Sequence, residues 1–207
     1  MPHLGAQGEP RLPEPLTILG QPVAVELRPG RTPRPGRDAA SLMAALVAMA
    51  DEINALDWDE DQTLGFRSIR KIVLFSRQVQ NYGWLMRRSG CDVARGVFYW
   101  SIREFAGHPD PKVHANMLFH DGWHVVQHLR DGGYPKSEAE QVEREIDAID
   151  RQVVVARRLG CEEHKVVFLE DFGADRERIA ARIREGVRRA KRAPSRRRLR
   201  PAAPPTA

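Results

Sequence analysis

Leu118–His128 reads LFHDGWHVVQH, and the periodicity of this stretch decides how the chain around it folds. At about 100° per residue, His120 and His124 lie one turn and about 40° apart on one side of a helix. Asp121 flanks that side, and Gln127 lies on the other side of His120. Phe119, Trp123, Val126 and Leu129 fall opposite and are expected to anchor the helix in a core. A helix with one apolar side and one histidine side belongs on the wall of a cleft.

Two imidazoles one turn apart can converge on a single metal ion. The spacing has the form of H-E-x-x-H, with Asp in place of Glu. In zinc hydrolases of that form the histidines bind Zn²⁺ through nitrogen, and the acidic residue takes a proton from the activated water. His120 and His124 are therefore candidate ligands and Asp121 the candidate general base. A third protein ligand has to come from elsewhere. The next helix, SEAEQVEREIDAIDRQVVVARRLG from Ser137 to Gly160, offers one. Val142, Ile146, Ile149 and Val153 form its apolar side; Glu140, Glu143, Asp147 and Asp150 form an acidic one. The short turn Asp131–Lys136 predicts antiparallel packing of the two helices. Glu143 then completes a His₂Glu set, and Asp147 accepts the free N–H of a ligating histidine.

Working outward, Leu16–Leu27 alternates apolar residues around Gly-Gln-Pro and predicts a short hairpin, with Pro22 arguing against a central strand. Asp38 is the expected N-cap of a helix over 39–56. Asp57–Asp61 reads as a loop, followed by a largely buried helix over 62–89 that Ser89-Gly90 ends. Gly96–Ile102, GVFYWSI, is β-branched and aromatic and predicts a strand. Ser137 and Glu140 form a capping-box pattern. Val166–Leu169 reads as a short strand, and Asp175–Arg192 as a basic helix with the stripe Ile179, Ile183, Val187 and Ala190. The expected architecture is α+β and mainly α, with an N-terminal hairpin, one further strand and four to five helices.

Lys plus Arg is 33 and Asp plus Glu is 28, a net charge of +5. Residues 173–207 hold 12 basic and 3 acidic residues, net +9; the remainder holds 33−12=21 basic and 28−3=25 acidic residues, net −4. The basic character thus belongs to a tail. The chain divides into a Pro/Gly-rich start over 1–15, one domain over 16–172, and a basic helix with an unstructured end over 173–207. A hydrophobic content of 42% excludes a wholly disordered chain. Two cysteines, Cys91 and Cys161, exclude a disulfide scaffold or a cysteine-based zinc site. No apolar run reaches the roughly 20 residues of a membrane span, and MPHLGAQGEPRL lacks a signal-peptide core. A cytoplasmic protein without a membrane is the expectation. The tail suits nonspecific, salt-sensitive contact with nucleic acid, or serves only as a solubilising end. No aromatic residue is interleaved with its charges to stack on bases.

His120-Asp121-x-x-His124 followed by Glu143-x-x-x-Asp147 resembles the gluzincin branch of zinc metallopeptidases, which has H-E-x-x-H and then E-x-x-x-D roughly twenty residues later. The fuller pattern, HDGWHVVQ with EREIDAIDRQ, is similar to small bacterial zincin-like domains with HExxHxxQ. The resemblance covers about 35 residues directly. It implies one Zn²⁺ held by His120, His124 and Glu143, with Asp121 as base, Asp147 behind a ligand, and a peptide or small amide as substrate. A zincin usually has a strand before its active-site helix, and GVFYWSI fits that place. Two departures follow. Asp121 is one methylene shorter than Glu, and misplacement by about an ångström can cost about 100-fold in rate. Glu145 is an alternative third ligand; it points about 160° away from Glu143, which is preferred because only Glu143 has an aspartate four residues on.

LFHDGWH also resembles the His-Asp pair of HD-domain phosphohydrolases, in which the aspartate itself binds metal. That family needs an earlier histidine and a late aspartate; Asp171 or Asp175 would be the latter. His108, His114 and His128 read as surface or helix-end groups.

Overall fold

The computed structural model describes residues 15–28, 38–76, 79–81, 84–86 and 90–192. Most of the Pro/Gly-rich start, residues 29–37 of the basic linker and residues 193–207 of the tail lie outside that set. β1 (Leu16–Ile18) and β2 (Gln21–Arg28) form the expected hairpin. Its turn uses Leu19 and Gly20, both at positive φ (49° and 76°), as a two-residue hairpin requires. Leu19 is held there from both ends. Its N–H donates to Asn54 Oδ1 (2.7 Å), and its carbonyl accepts from Arg67 Nε and Nη2 (3.0 and 2.6 Å). β2 is nevertheless flanked on both sides, against the expectation from Pro22. The proline is tolerated because parallel pairing with the next strand begins only at Ala24.

α1 (Ala39–Asn54) starts at Asp38, whose carboxylate accepts from Ser41 N (2.9 Å). α2 (Glu60–Arg67) starts earlier than the sequence suggested, on a capping box between Asp59 and Gln62. It then stops after two turns, where the sequence predicted a helix continuing to 89. Ile69 onward instead becomes β3 (Lys71–Phe75), and Ile72, Val73, Leu74 and Phe75 are all buried. A strand buried on both faces is a continuous apolar run with no period to read. Beyond it come β4 (Val79–Asn81), β5 (Trp84–Met86), β6 (Gly90–Asp92) and β7 (Val97–Ser101).

β1, β2, β3, β7 and β6 lie side by side in that order. β3 pairs in parallel with both β2 and β7, and β6 returns antiparallel at the edge. Ile72, Leu74, Phe98 and Trp100 share the core with Leu42, Leu46 and Met49 of α1. After the short α3 (Ile102–Phe105) come α4 (Pro111–Arg130), α5 (Glu138–Leu159), α6 (Glu163–Ala174) and α7 (Arg176–Arg192). The class is α+β and mainly helical, as read from sequence, though the sheet is larger than expected. Val166–Leu169 belongs to α6 rather than to a strand.

α4 crosses the core between α2, α1 and α5. Ala115, Leu118, Phe119 and Trp123 are buried along it, whereas Leu129, expected in the core, is 69% exposed. Its approach to α2 is set by backbone. A Cβ on Gly122 would lie 2.1 Å from Gly65 O, and one on Gly65 would lie 2.5 Å from the Phe119 ring. The Ser68 hydroxyl lies 2.8 Å from Gly65 O and 2.7 Å from Gly122 O and shares its proton between them. α5 starts at Ser137 and stops at Gly160 as expected: Ser137 Oγ accepts from Glu140 N (3.1 Å), and Gly160 ends it at φ 67°, but the Glu140 carboxylate accepts from Lys136 N (2.7 Å) rather than Ser137 N, so the expected capping box does not close. Among the described residues no helix is long and apolar enough to cross a membrane.

Candidate metal centre

α4 carries His120 and His124 toward α5, and α5 presents Glu145 to them. His120 Nε2 and His124 Nε2 are 3.1 Å apart. Glu145 places Oε1 at 3.7 Å from His120 Nε2 and Oε2 at 3.2 Å from His124 Nε2. Among the described residues these three form the one group of histidine, cysteine or acidic side chains with metal-ligand geometry. All three side chains keep about a fifth of their surface exposed (18, 22 and 23%), so an ion could reach them.

Glu143, the preferred third ligand from sequence, is not among them. It is 58% exposed and pairs with Arg176 of α7. Glu145 occupies the place instead because it shares the stripe of α5 that faces α4. Ala148, Val155 and Leu159 continue that stripe in the main core. A carboxylate in line with Ala148, Gln152, Val155 and Leu159, all buried, is the available signal, and the aspartate four residues after Glu143 outweighs it in the sequence.

Asp147 does stand behind the site, but one residue further back than expected. It does not touch a histidine. Its Oδ2 accepts from Trp123 Nε1 (2.6 Å) and Gln127 Nε2 (2.8 Å), and its Oδ1 from Arg151 Nε (3.1 Å). Gln127 is the intermediary. Its amide nitrogen donates both protons, to Asp147 and to Arg144 O (2.8 Å). Its oxygen is therefore the atom 2.8 Å from His124 Nδ1. His124 must carry a proton on Nδ1; without a metal a second proton on Nε2 serves the bond to Glu145, and losing that proton would free the Nε2 lone pair for an ion. Metal-binding histidines are usually held by such a bond on the far nitrogen. Gln127 is buried, and its register one turn after His124 was the sequence signal for this role.

The site's electrostatics are those of a compact mixed-charge cluster. Burial holds His120 down to a pKa of about 4, with repulsion from His124 adding to it. Burial also opposes the charged form of His124, but the Glu145 hydrogen bond and charge, with Asp121 and Gln127, outweigh it and raise its pKa. Burial alone would raise Glu145; its bond to His124 and the charges of His120, His124 and Arg182 instead bring it to about 2. Asp121 is pushed up to about 7 by burial, with Glu145 reinforcing and His124 and Arg182 opposing. Asp121 thus sits within electrostatic reach of the cluster without belonging to it. Neither Asp171 nor Asp175 joins it.

His114, expected at the surface, is buried. Its ring stacks on Phe105 (centroids 4.2 Å apart) and meets Trp100 edge-on. Part of the basic tail is also committed to the body, since Arg176 and Arg184 of α7 pair with Glu143 and Glu138 of α5. Cys91 and Cys161 are free thiols. Comparison with family models, curated proteins and solved structures gives no match.

Proposed function

We propose that the chain is a zinc-dependent hydrolase of an amide or peptide bond, with His120, His124 and Glu145 holding the ion and Asp121 moving the proton. One observation carries this reading. Tetrahedral zinc with N and O ligands at roughly 2.0–2.1 Å needs ligand atoms about 3.3 Å apart; the two histidine Nε2 atoms are 3.1 Å apart, Glu145 sets Oε2 at 3.2 Å from one and Oε1 at 3.7 Å from the other, and one ligand atom from each of the three residues lies within 4.8 Å of the others. The donor set, two neutral imidazoles and one carboxylate, is that of catalytic rather than structural zinc sites, which leave one position open. Zinc, when bound there, would supply a Lewis acid and an activated water at neutral pH.

The chain's own residues supply the rest. Gln127 and Asp147 hold His124 in the tautomer that offers Nε2. Asp121, next to His120 in the chain and within electrostatic reach of the cluster, would move the proton, the role that the zincin-like resemblance gives it. The zincin-like resemblance is supported by a strand ahead of the histidine helix, here β7 before α3 and α4, while the ligand spacing favours Glu145, which lacks the E-x-x-x-D aspartate that the resemblance puts after Glu143. The HD-type alternative has less support, because it needs Asp121 as a ligand and the ligand-spaced group contains Glu145 instead.

Metal analysis of the purified full chain tests the proposal. About one equivalent of zinc is expected, lost on His120→Ala. Asp121→Asn should keep the metal and abolish hydrolysis of a peptide library. Less than about 0.2 equivalents after incubation with zinc, or loss of the metal in Asp121→Asn, would overturn it.

A further inference from the structure

α7, which the charge division sets apart as a tail, forms one wall of a cavity that borders the candidate metal centre. It lies along α5, where Ile179 joins Val142, Ile149 and Phe172 in a small core. Between the two helices is a cavity of about 400 Å³, and its walls include Glu145, Ile179, Arg182, Ile183 and Val187. Glu145 belongs to both the cavity wall and the histidine cluster, so the cavity borders that cluster across the Glu145 side chain, with neither histidine on its walls.

Arg182 is the one basic residue on these walls. Its guanidinium lies 5.4 Å from the Phe172 ring, and it makes no ion pair with any described residue. Its neighbours on α7 differ: Arg176 pairs with Glu143, Arg184 with Glu138 and Arg188 with Glu185. Glu145 and Arg182 cancel on the walls themselves, and the sign is set by the zinc proposed above. A dication, one carboxylate and two neutral imidazoles leave +1, and Arg182 makes +2. An ionised Asp121 returns it only to +1. An anionic group is the complement, and a guanidinium binds a carboxylate through two parallel hydrogen bonds.

We infer that the cavity between α5 and α7 is the substrate subsite, and that Arg182 selects a substrate carrying a carboxylate next to the bond that is cut. The aliphatic side chains of Ile179, Ile183 and Val187 receive the apolar group beside it. This assignment rests on the zinc reading above.

The test compares two hydroxamates on the zinc-loaded full chain by calorimetry: acetohydroxamate, and the monohydroxamate of succinate, which adds a carboxylate. The succinate compound should bind at least tenfold tighter. Arg182→Gln should reduce that preference to within twofold, leaving zinc content and acetohydroxamate affinity unchanged. Arg182→Lys should retain part of it, and Arg178→Gln, on the same helix, all of it. Equal affinity in the wild-type chain, no binding of either compound, or a preference that survives Arg182→Gln would overturn the assignment. Failure to bind zinc would remove the parent reading as well. Zinc and acetohydroxamate bound without preference would remove the subsite alone. Arg182→Lys and the wild-type comparison keep the test decisive if Arg182→Gln fails to fold.

Discussion

His114 and His120 lie on the same helix, fewer than two turns apart, and burial lowers both to a pKa of about 4. They are nonetheless different objects. His114 is sealed between Phe105 and Trp100, donates from Nε2 to Phe105 O (3.0 Å), and has no acidic neighbour in contact. His120 faces a second imidazole and a carboxylate at ligand spacing, with part of its surface open. A depressed histidine pKa therefore reports burial. What separates a packing histidine from a candidate ligand is the convergence of other donor atoms and a route for the ion.

The comparison breaks most directly on metal affinity. His120→Ala should weaken zinc binding about a thousandfold, or about 4 kcal/mol, measured by competition with a chromophoric chelator. His114→Gln should leave it unchanged. If both variants lose zinc equally, the two histidines are not distinct.

The next effect is on stability, where His114 contributes through burial alone. The folded pKa of His114 lies below its ordinary value of 6.5. Between pH 6.5 and about 4 the unfolded chain binds a proton that the native ring does not. Stability must fall as pH drops through that window, by roughly 3 kcal/mol for this group, and be flat in it below. Chemical denaturation of the metal-free chain at pH 7 and pH 4.5 should show a smaller drop in His114→Gln than in wild type.

A subtler effect concerns what orients the site. Gln127→Leu keeps the volume but removes the acceptor on His124 Nδ1, and should cost roughly 10–100-fold in zinc affinity. The smallest effect is expected at Glu143. Glu143→Gln should leave zinc stoichiometry and affinity unaltered, whereas Glu145→Gln should lower both. The reverse result would restore Glu143 as the ligand.

Much of this was legible in the residues. The i, i+4 histidine pair, the caps Asp38, Ser137 and Gly160, and the hairpin each rest on local chemistry, and each appears where the pattern put it. β3 did not, because Ile72–Phe75 is buried on both faces and shows no alternation. Glu145 was weighed but ranked second, since angular position on α5 says which residues share a face and not which face meets α4. Only the tertiary contact with α4 decides that. The docking of α7 was hidden for a similar reason. Its charge count suggested an appendage, and nothing local showed that Arg176 and Arg184 would find acidic partners on α5.

Gly122 bears on how such a site should be recognised elsewhere. It stands midway between the two histidines with its carbonyl shared with Ser68, and α2 leaves no room there for a side chain. A search pattern written H-D-x-x-H is thus looser than this molecule permits. A sequence that satisfies it with alanine or leucine at the third place would have to lift its helix off α2, and both imidazoles with it. The discriminating signature is H-D-G-x-H together with a Gly-x-x-Ser upstream, a vocabulary written by backbone contact as much as by ligand chemistry.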